Sequence, residues 1–568
     1  MNKKLWYAHP DEAWMNGLPV GSGRLAAMVR NAEKKDVLSL NHEWLWRGKN
    51  RQRENITCAN HLAEIRRLLQ QEDFFRATAL ANAWLGGLGG ISGLPGRVDA
   101  YQPAADLTLE LPGTVGFERR ELDISEGLVT ACRRVLSSEG SEAILTSQFI
   151  AHAQDQRIYL HCHCPAAFEG FIVLSRTEDA ELRSVQHLTS RRLSFSGSFP
   201  EGMTYVVQVD LDLDGQTEVC DEGIAFHDTR ELLLSVQVTT SVMPDLPAAS
   251  RQQFSYTCRD WPERLAIHRR FFSSVMNRMD IELDQEENPL PTDERIAALR
   301  AGASDETLLI LAAHYGRYLL VASSMGSDLP ANLQGKWNDA IKPPWECDYH
   351  FDINLQMNYW AAEATGLSEC SEALFRYVLR MSEHGRKAAR DLYGCRGVWL
   401  PIQTDAWGRA TPESYGWSVW IGAAPWIAQH FWWHYLYHGD LDFLAGKAYP
   451  FLRDVALFYE DYCTYDEAGV VQIMPSQSPE NRFAGTGHFP VSIGISSAMD
   501  VQLAYDALGY AIKAAGILGT DEEAVLRWQQ LRDHLPPFAI GQDGRLLEWE
   551  KDRVEVEPGH RHLSHLYG

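Results

Sequence analysis

A chain of 568 residues is too long for one hydrophobic core and must divide into two or more domains. Its 45% hydrophobic and 23% charged residues are those of a globular protein, and a net charge of −24, from 76 acids against 52 bases, argues against nucleic acid and anionic membrane as partners. No apolar run is long enough to span a bilayer, and the opening MNKKLWYAHPDEAW has no apolar stretch behind its lysines, so no signal peptide is read there and the expected location is the cytoplasm.

The first half has the period of β-structure. Leu107, Leu109 and Leu111 alternate in DLTLEL, and Val207, Val209, Leu211 and Leu213 alternate with polar residues. ELLLSVQVTTSV (231–242) is a further run of the same kind. Such alternation, with Gly and Asp between runs, predicts antiparallel sheets with one wet face. A helical pattern at about 57–85 interrupts it. His161-Cys162-His163-Cys164 looks like a metal cluster, but it lies in the alternating RIYLHCHC, where neighbours point to opposite faces. The ten scattered cysteines read as reduced thiols rather than a disulfide framework. Gly21-Ser22-Gly23 lacks the third glycine and the context of a nucleotide fingerprint. The sequon at Asn55 carries no meaning without export.

From about 260 the period becomes helical. Residues 260–300 read as linking helices with a proline-containing break at 288–294. Seven candidate helices follow: 305–325, 354–366, 370–393, 417–438, 441–463, 496–517 and 521–534. Ser304 or Asp305 can cap the first, and Gly394 follows the third. Polar, aromatic-rich loops separate alternate helices. Helical hairpins with functional loops at one end predict an α/α toroid with a cleft where the loops converge.

Four polar clusters stand out in this half. Residues 337–360 crowd Asp, Asn, Glu, Gln and His among tryptophans and tyrosines. Core building does not need that mixture, whereas a sugar does: hydroxyls take bidentate hydrogen bonds and ring faces stack on indole. Just before it stands Gln334, and within it Trp337, His350, Asp352 and Asn354. In an extended segment Asp352 and Asn354, two apart, would point the same way; helix capping would explain one of them but not all three. In PSQSPEN (475–481) two prolines make a rigid loop, and a carboxylic acid such as Glu480 held there among aromatics suits a general acid. His560, Arg561 and His562 open HRHLSH; the arginine opposes a cation, so polar contacts to a ligand are expected rather than a metal. Asp405 and Trp407 in QTDAWG set an acid beside an indole, with a turn-capping aspartate as the competing reading.

Taken together these segments resemble the family 95 glycoside hydrolases. The resemblance runs from LWYAHPDEAWMNGLPVGSGRLAAMV through LSLNHEWLWRG, YQPAADLTLEL, LPANLQGKWN, DINLQMNYW, TDAWG, PSQSPEN and SSAMD to GHRHLSHLYG. It implies an N-terminal antiparallel β-sandwich (1–262), a helical linker (263–302) and an (α/α)6 barrel (303–568). That barrel is expected to be incomplete, because the candidate helices are too few for a closed six-hairpin toroid and family chains continue past Gly568. Known members are inverting 1,2-α-L-fucosidases and some α-L-galactosidases, so terminal α-1,2-linked L-fucose on an oligosaccharide or glycan is the implied substrate, with L-galactose as the alternative. The resemblance makes Glu480 the general acid. The family's water-activating Asn-Ile-Asn reads Asp352-Ile353-Asn354 here, so a carboxylate replaces the first amide and can itself act as base. His350, Arg561 and His562 become sugar contacts, His350 leaning toward fucose. No cofactor or metal is implied. A non-catalytic sugar-binding relic is the competing reading, and a phosphorylase would need a basic phosphate pocket that the sequence does not assemble. The sequence sets no oligomeric state.

Overall fold

A computed structural model describes residues 3–50, 57–85, 98–137, 140–242, 257–284, 288–412 and 416–568. Asn55 lies outside them. The strands are β1 (Lys4–Tyr7), β2 (Leu18–Gly21), β3 (Leu25–Asn31), β4 (Lys35–His42), β5 (Ala105–Glu110), β6 (Thr114–Asp123), β7 (Leu128–Leu136), β8 (Glu142–His152), β9 (Arg157–Ser175), β10 (Arg183–Thr189), β11 (Arg192–Ser198), β12 (Thr204–Leu213), β13 (Gln216–Val219) and β14 (Gly223–Thr240). The principal helices are α1 (Leu62–Gln70), α2 (Phe74–Trp84), α3 (Trp261–Met276), α4 (Thr292–Arg300), α5 (Glu306–Ser324), α6 (Asn354–Tyr359), α7 (Ser368–Tyr393), α8 (Ala423–His438), α9 (Tyr449–Tyr462), α10 (Ala498–Leu518) and α11 (Glu522–Asp533). Contacts group the chain into two compact units. The first holds Met1–Lys49, Ala100–Cys347 and Ala364–Leu374; the second holds Asn50–Asp99, Asp348–Glu363 and Phe375–Gly568.

In the first unit all fourteen strands join one antiparallel hydrogen-bonded network. Two long strands fold it into two layers. The first part of β9, Arg157–His163, pairs with β8, while Phe171–Ser175 pairs with β5. β14 follows β9 along its length, and its register slips between Phe226 and Glu231. Pro165 lies in β9 near the change of partner, where its missing N–H interrupts the ladder. One layer runs β1-β6-β7-β8-β9-β14-β12-β11-β10; the other runs β2-β3-β4-β5 onto the far ends of β9 and β14. β2 and β3 pack across β6, β7 and β8. The interior is built by the predicted alternation: Leu107, Leu109, Phe149, Leu160, Val207, Val209 and Leu234 are all buried. The opposite face of β8, β9 and β14 is closed by α3, whose Trp261 and Leu265 pack on Ile150, Tyr159 and Leu233.

Local chemistry explains several sequence features here. His161 and His163 share one strand face and both meet Glu231 at 2.7 Å, while Cys162 and Cys164 are buried. All ten cysteines are free thiols. Gly21-Ser22-Gly23 serves packing: a Cβ at Gly21 would collide with the Ala322 carbonyl of α5, and Gly23 has a φ of +82°. Asp305 caps α5, accepting from Leu308 N at 3.1 Å. Its bonds from Arg295, at 2.8 and 3.0 Å, hold its carboxyl far below the usual carboxylate range.

The second unit is helical, as the period after 260 predicts. α8 is buried continuously from Ala423 to Trp432, so that stretch is an inner helix with no wet face, while its last turn, Leu436–His438, is exposed. It packs on α9 and α10, and α10 packs on α9 and α11. Gly439 and Gly519 end α8 and α10 with φ of +64° and +63°, the left-handed closure that glycine permits. These are helical hairpins of (α/α)6 toroid architecture. The helix expected at 354–366 is confined to 354–359, with turns beyond it. Among the described residues no helix is long and apolar enough to cross a membrane.

Candidate active site

Within the second unit a cavity of about 520 Å³ opens between α8, the residues just before α6, and the Arg561–Tyr567 segment. Its walls are aromatic: Trp360, Trp426, Trp433 and Tyr567. Trp426 and Tyr567 meet edge to face at 5.4 Å between centroids. With its carboxamide oxygen turned toward the indoles, Gln429 accepts from Trp360 Nε1 at 3.2 Å and Trp426 Nε1 at 3.3 Å. That orders two flat apolar faces around one polar pin.

Asp352 supplies the acidic floor of this cavity and is 6% exposed. Burial raises its pKa from 3.8 to about 7; the nearby His350 charge opposes this, and the Glu480 carboxylate adds to it. His350 hydrogen-bonds Asp348 at 2.5 Å. Burial alone would lower the imidazole's pKa, but the Asp348 carboxylate outweighs it, helped by Asp352 and Glu480, and lifts it to about 8. His350 is therefore a cation at neutral pH, between acids.

Glu480 stands beside Pro479, Arg561 and His562, all of which line the cavity. Arg561 Nη2 lies 3.3 Å from its carboxylate and His562 Nδ1 lies 3.7 Å from it. His562 Nδ1 also accepts the Glu480 backbone N–H at 3.1 Å. Burial lowers the pKa of His562, consistent with a neutral ring that accepts this bond. The loop that carries Glu480 is fastened on both sides. Asp500, at the start of α10, accepts from Ser476 Oγ at 2.6 Å and Gln477 N at 3.2 Å. Glu548 accepts from Ser478 Oγ at 2.7 Å and Asn481 Nδ2 at 2.5 Å. Ser564 Oγ donates to the Pro479 carbonyl. Burial raises the pKa of both fastening acids, Asp500 to about 7. Two carboxyls of different environment beside one aromatic-walled cavity can donate and accept protons across a glycosidic bond.

Other residues singled out in the sequence lie elsewhere. Asn354 is the first residue of α6 and is exposed; neither it nor Glu480, whose side chain is 37% exposed, is itself among the residues that line the cavity. The expectation that Asn354 points with Asp352 does not hold, because the chain is not extended there: Ile353, between them, has a φ of +142°. Asp405 and Trp407 are engaged in an internal knot. Asp405 accepts from Asp99 N at 2.9 Å and Trp407 N at 3.1 Å and pairs with Arg409; Trp407 Nε1 donates to Asp99 at 3.0 Å. The turn-capping reading fits Asp405 better than sugar contact. Trp337 is 5% exposed and donates to the Val20 carbonyl at 3.1 Å, and Gln334 lies in a tight turn in which its N–H meets Asn332 Oδ1 at 3.0 Å; both belong to the first unit. His560 packs edge-on against His562, 5.0 Å between centroids, and accepts from the His562 N–H at 3.1 Å.

Comparison with known proteins decides the family. The Glycosyl hydrolase family 95 catalytic domain matches residues 260–568, more than half of the chain, and the Glycosyl hydrolase family 65, N-terminal domain matches residues 5–244. This chain belongs to glycoside hydrolase family 95. Alpha-L-fucosidase 2 of Arabidopsis thaliana is 29% identical over 100% of this chain and 71% of its own length. Probable alpha-fucosidase A of Aspergillus niger is 25% identical over 100% of this chain and 74% of its own length. A solved structure, a putative kojibiose phosphorylase from the human microbiome, matches with a TM-score of 0.58 and 9% identity over 96% of this chain and 71% of that one, which shows the shared fold. The protein is a glycoside hydrolase.

Several residues of this family 95 site were not singled out from the sequence. Trp426, Gln429 and Trp433 follow the i, i+3, i+7 spacing of one helix face, a signal that was present in APWIAQHFWW. Asp348 lies two before His350, at the edge of the two-residue strand Tyr349–His350, and a strand's period of two places both on one side. Asp500 sits in SSAMD, where Ser497 caps α10 and leaves the acid in its first turn. Glu548 is far along the chain from the loop it holds and has no local signature.

Proposed function

We propose that this enzyme hydrolyses terminal α-1,2-linked L-fucosyl residues of oligosaccharides or glycans with inversion at the anomeric carbon. The observation that carries the reading is the buried Asp352 in the wall of an aromatic cavity, with Glu480 beside the lining residues Pro479, Arg561 and His562 and close enough for its charge to raise the pKa of Asp352. The names of the relatives supply the sugar. Glu480 protonates the departing glycosidic oxygen. Asp352 takes a proton from a water that attacks the anomeric carbon from the opposite face, so a base whose pKa is about 7 is poised near neutral pH. Inversion calls for carboxyls roughly 6.5–9.5 Å apart, with the water between them. His350 and Arg561 present cationic donors to the sugar hydroxyls, His562 holds the acid loop, and Trp360 and Trp433 stack on sugar rings. With Asn354 exposed, water activation falls to Asp352. The chain is accordingly read as a β-sandwich domain (1–262), a linker (263–302) and a catalytic barrel (303–568). The hydrolysis itself needs only water.

Initial rates on an α-1,2-fucosylated oligosaccharide and on its α-L-galactosyl counterpart test the reading. Faster release of fucose is expected. A folded protein that cleaves only the galactoside, or neither, sinks it.

A further inference from the structure

Away from the carboxyl pair, α8 carries a second constellation that the hydrolysis does not use. His434 and His438 are four apart on α8 and project to the same side of the helix, toward Glu363. His434 Nδ1 lies 2.8 Å from Glu363 Oε1, and His438 Nε2 lies 3.1 Å from Glu363 Oε2. All the donor atoms fall within 4.8 Å of one another. We propose that Glu363, His434 and His438 form a binding site for a divalent d-block cation of the zinc type, which clamps the segment after α6 to α8.

The donor set is chemically apt. Two imidazoles and one carboxylate are the ligands of four-coordinate zinc sites in which the protein fills three positions and solvent the fourth. Around a tetrahedral ion with bonds of about 2.0–2.2 Å, neighbouring donors stand about 3.3–3.6 Å apart, so small movements convert the present contacts into a coordination shell. Helical i, i+4 spacing fixes the two imidazoles in advance, which lowers the entropy lost on binding. The local surroundings favour a held ion over a solvated pair. Glu363 and His434 have side chains only 7% and 12% exposed, and His434 is wedged against Phe375 and Phe443 at 5.1 and 4.4 Å between centroids. His438, 41% exposed, opens the site to solvent on one side, giving an entry path and the fourth ligand. The site ties together two walls of the cavity: Trp360 precedes Glu363 by three residues, and Trp433 is adjacent to His434.

The test uses the whole chain, stripped with chelator and then equilibrated with Zn²⁺ alone at micromolar free concentration. One equivalent per chain by elemental analysis is expected, with a rise in melting temperature that chelator reverses. Co²⁺ in place of Zn²⁺ should give the intense visible bands of a four-coordinate site, which a histidine–carboxylate hydrogen bond alone cannot produce. His438→Ala, at the exposed end of α8, should fold and weaken Zn²⁺ binding at least tenfold, and Glu363→Gln should do the same while keeping the shape of the site. Native protein that takes up no stoichiometric zinc overturns the proposal. So does an unchanged stoichiometry and affinity in the folded His438→Ala and Glu363→Gln variants.

Discussion

Replacing Asp352 with asparagine should stabilise this enzyme and disable it, and the stabilisation should depend on pH. Asp352 is 6% exposed, and burial lifts its pKa from 3.8 to about 7. Between those values the folded protein retains a proton that the unfolded chain has released. Stability therefore falls as pH rises from about 4 to about 7 and levels off above that. At about 1.4 kcal/mol for each pH unit, the ionised carboxylate costs the fold about 4 kcal/mol at pH 8. An asparagine of the same shape never ionises. Denaturation of the two proteins in parallel from pH 4 to pH 8 isolates the contribution of this carboxyl. Near pH 4 their stabilities should agree, and by pH 8 the Asp352→Asn variant should be ahead by about 4 kcal/mol, with kcat down about 10²–10⁴-fold from loss of the base. A stability difference that stays constant over this range, or a native protein that gains on the variant as pH rises, would refute the reasoning.

Two further substitutions follow from the geometry. Arg409 is 5% exposed and pairs with Asp99 and Asp405, themselves 5% and 0% exposed, so Arg409→Ala should remove a cation from beside two buried carboxylates and cost about 3–5 kcal/mol, read as a fall in melting temperature. Trp433→Ala removes one wall of the cavity and leaves both carboxyls in the chain; KM for the oligosaccharide should rise about tenfold while kcat stays within a factor of about three. A larger loss in kcat than in KM would place Trp433 in the chemistry instead.

Period and capping signals carried much of the architecture. The alternation at 207–213 became β12 with Val207 and Val209 buried, and Asp305 became the cap of α5. Such signals are local, which is why helix 370–393 was found to within two residues of α7. The turn-rich loop at 475–481 was legible for the same reason, since its prolines restrict it without reference to the rest of the chain. What holds that loop was not legible. Asp500 and Glu548 reach it from 24 and 70 residues further on, and only packing brings them there. The reading of Asn354 failed on a single residue: nothing in the side chain of Ile353 announces a positive φ. Asp405 beside Trp407 looked like a sugar contact because acid and indole adjacency has two uses, and the choice was made by Asp99 and Arg409, one of them about three hundred residues away. The indole face of α8 was readable at i, i+3, i+7, but its partner Trp360 comes from another element.

The pairing of Glu480 with Asp352 is tested most directly by following 2′-fucosyllactose hydrolysis by NMR, with Glu480→Gln in parallel. First-formed β-L-fucose, with the rate falling about 10²–10⁴-fold in the variant, is the expected result. First-formed α-L-fucose, or a Glu480→Gln variant as fast as the native enzyme, would contradict it.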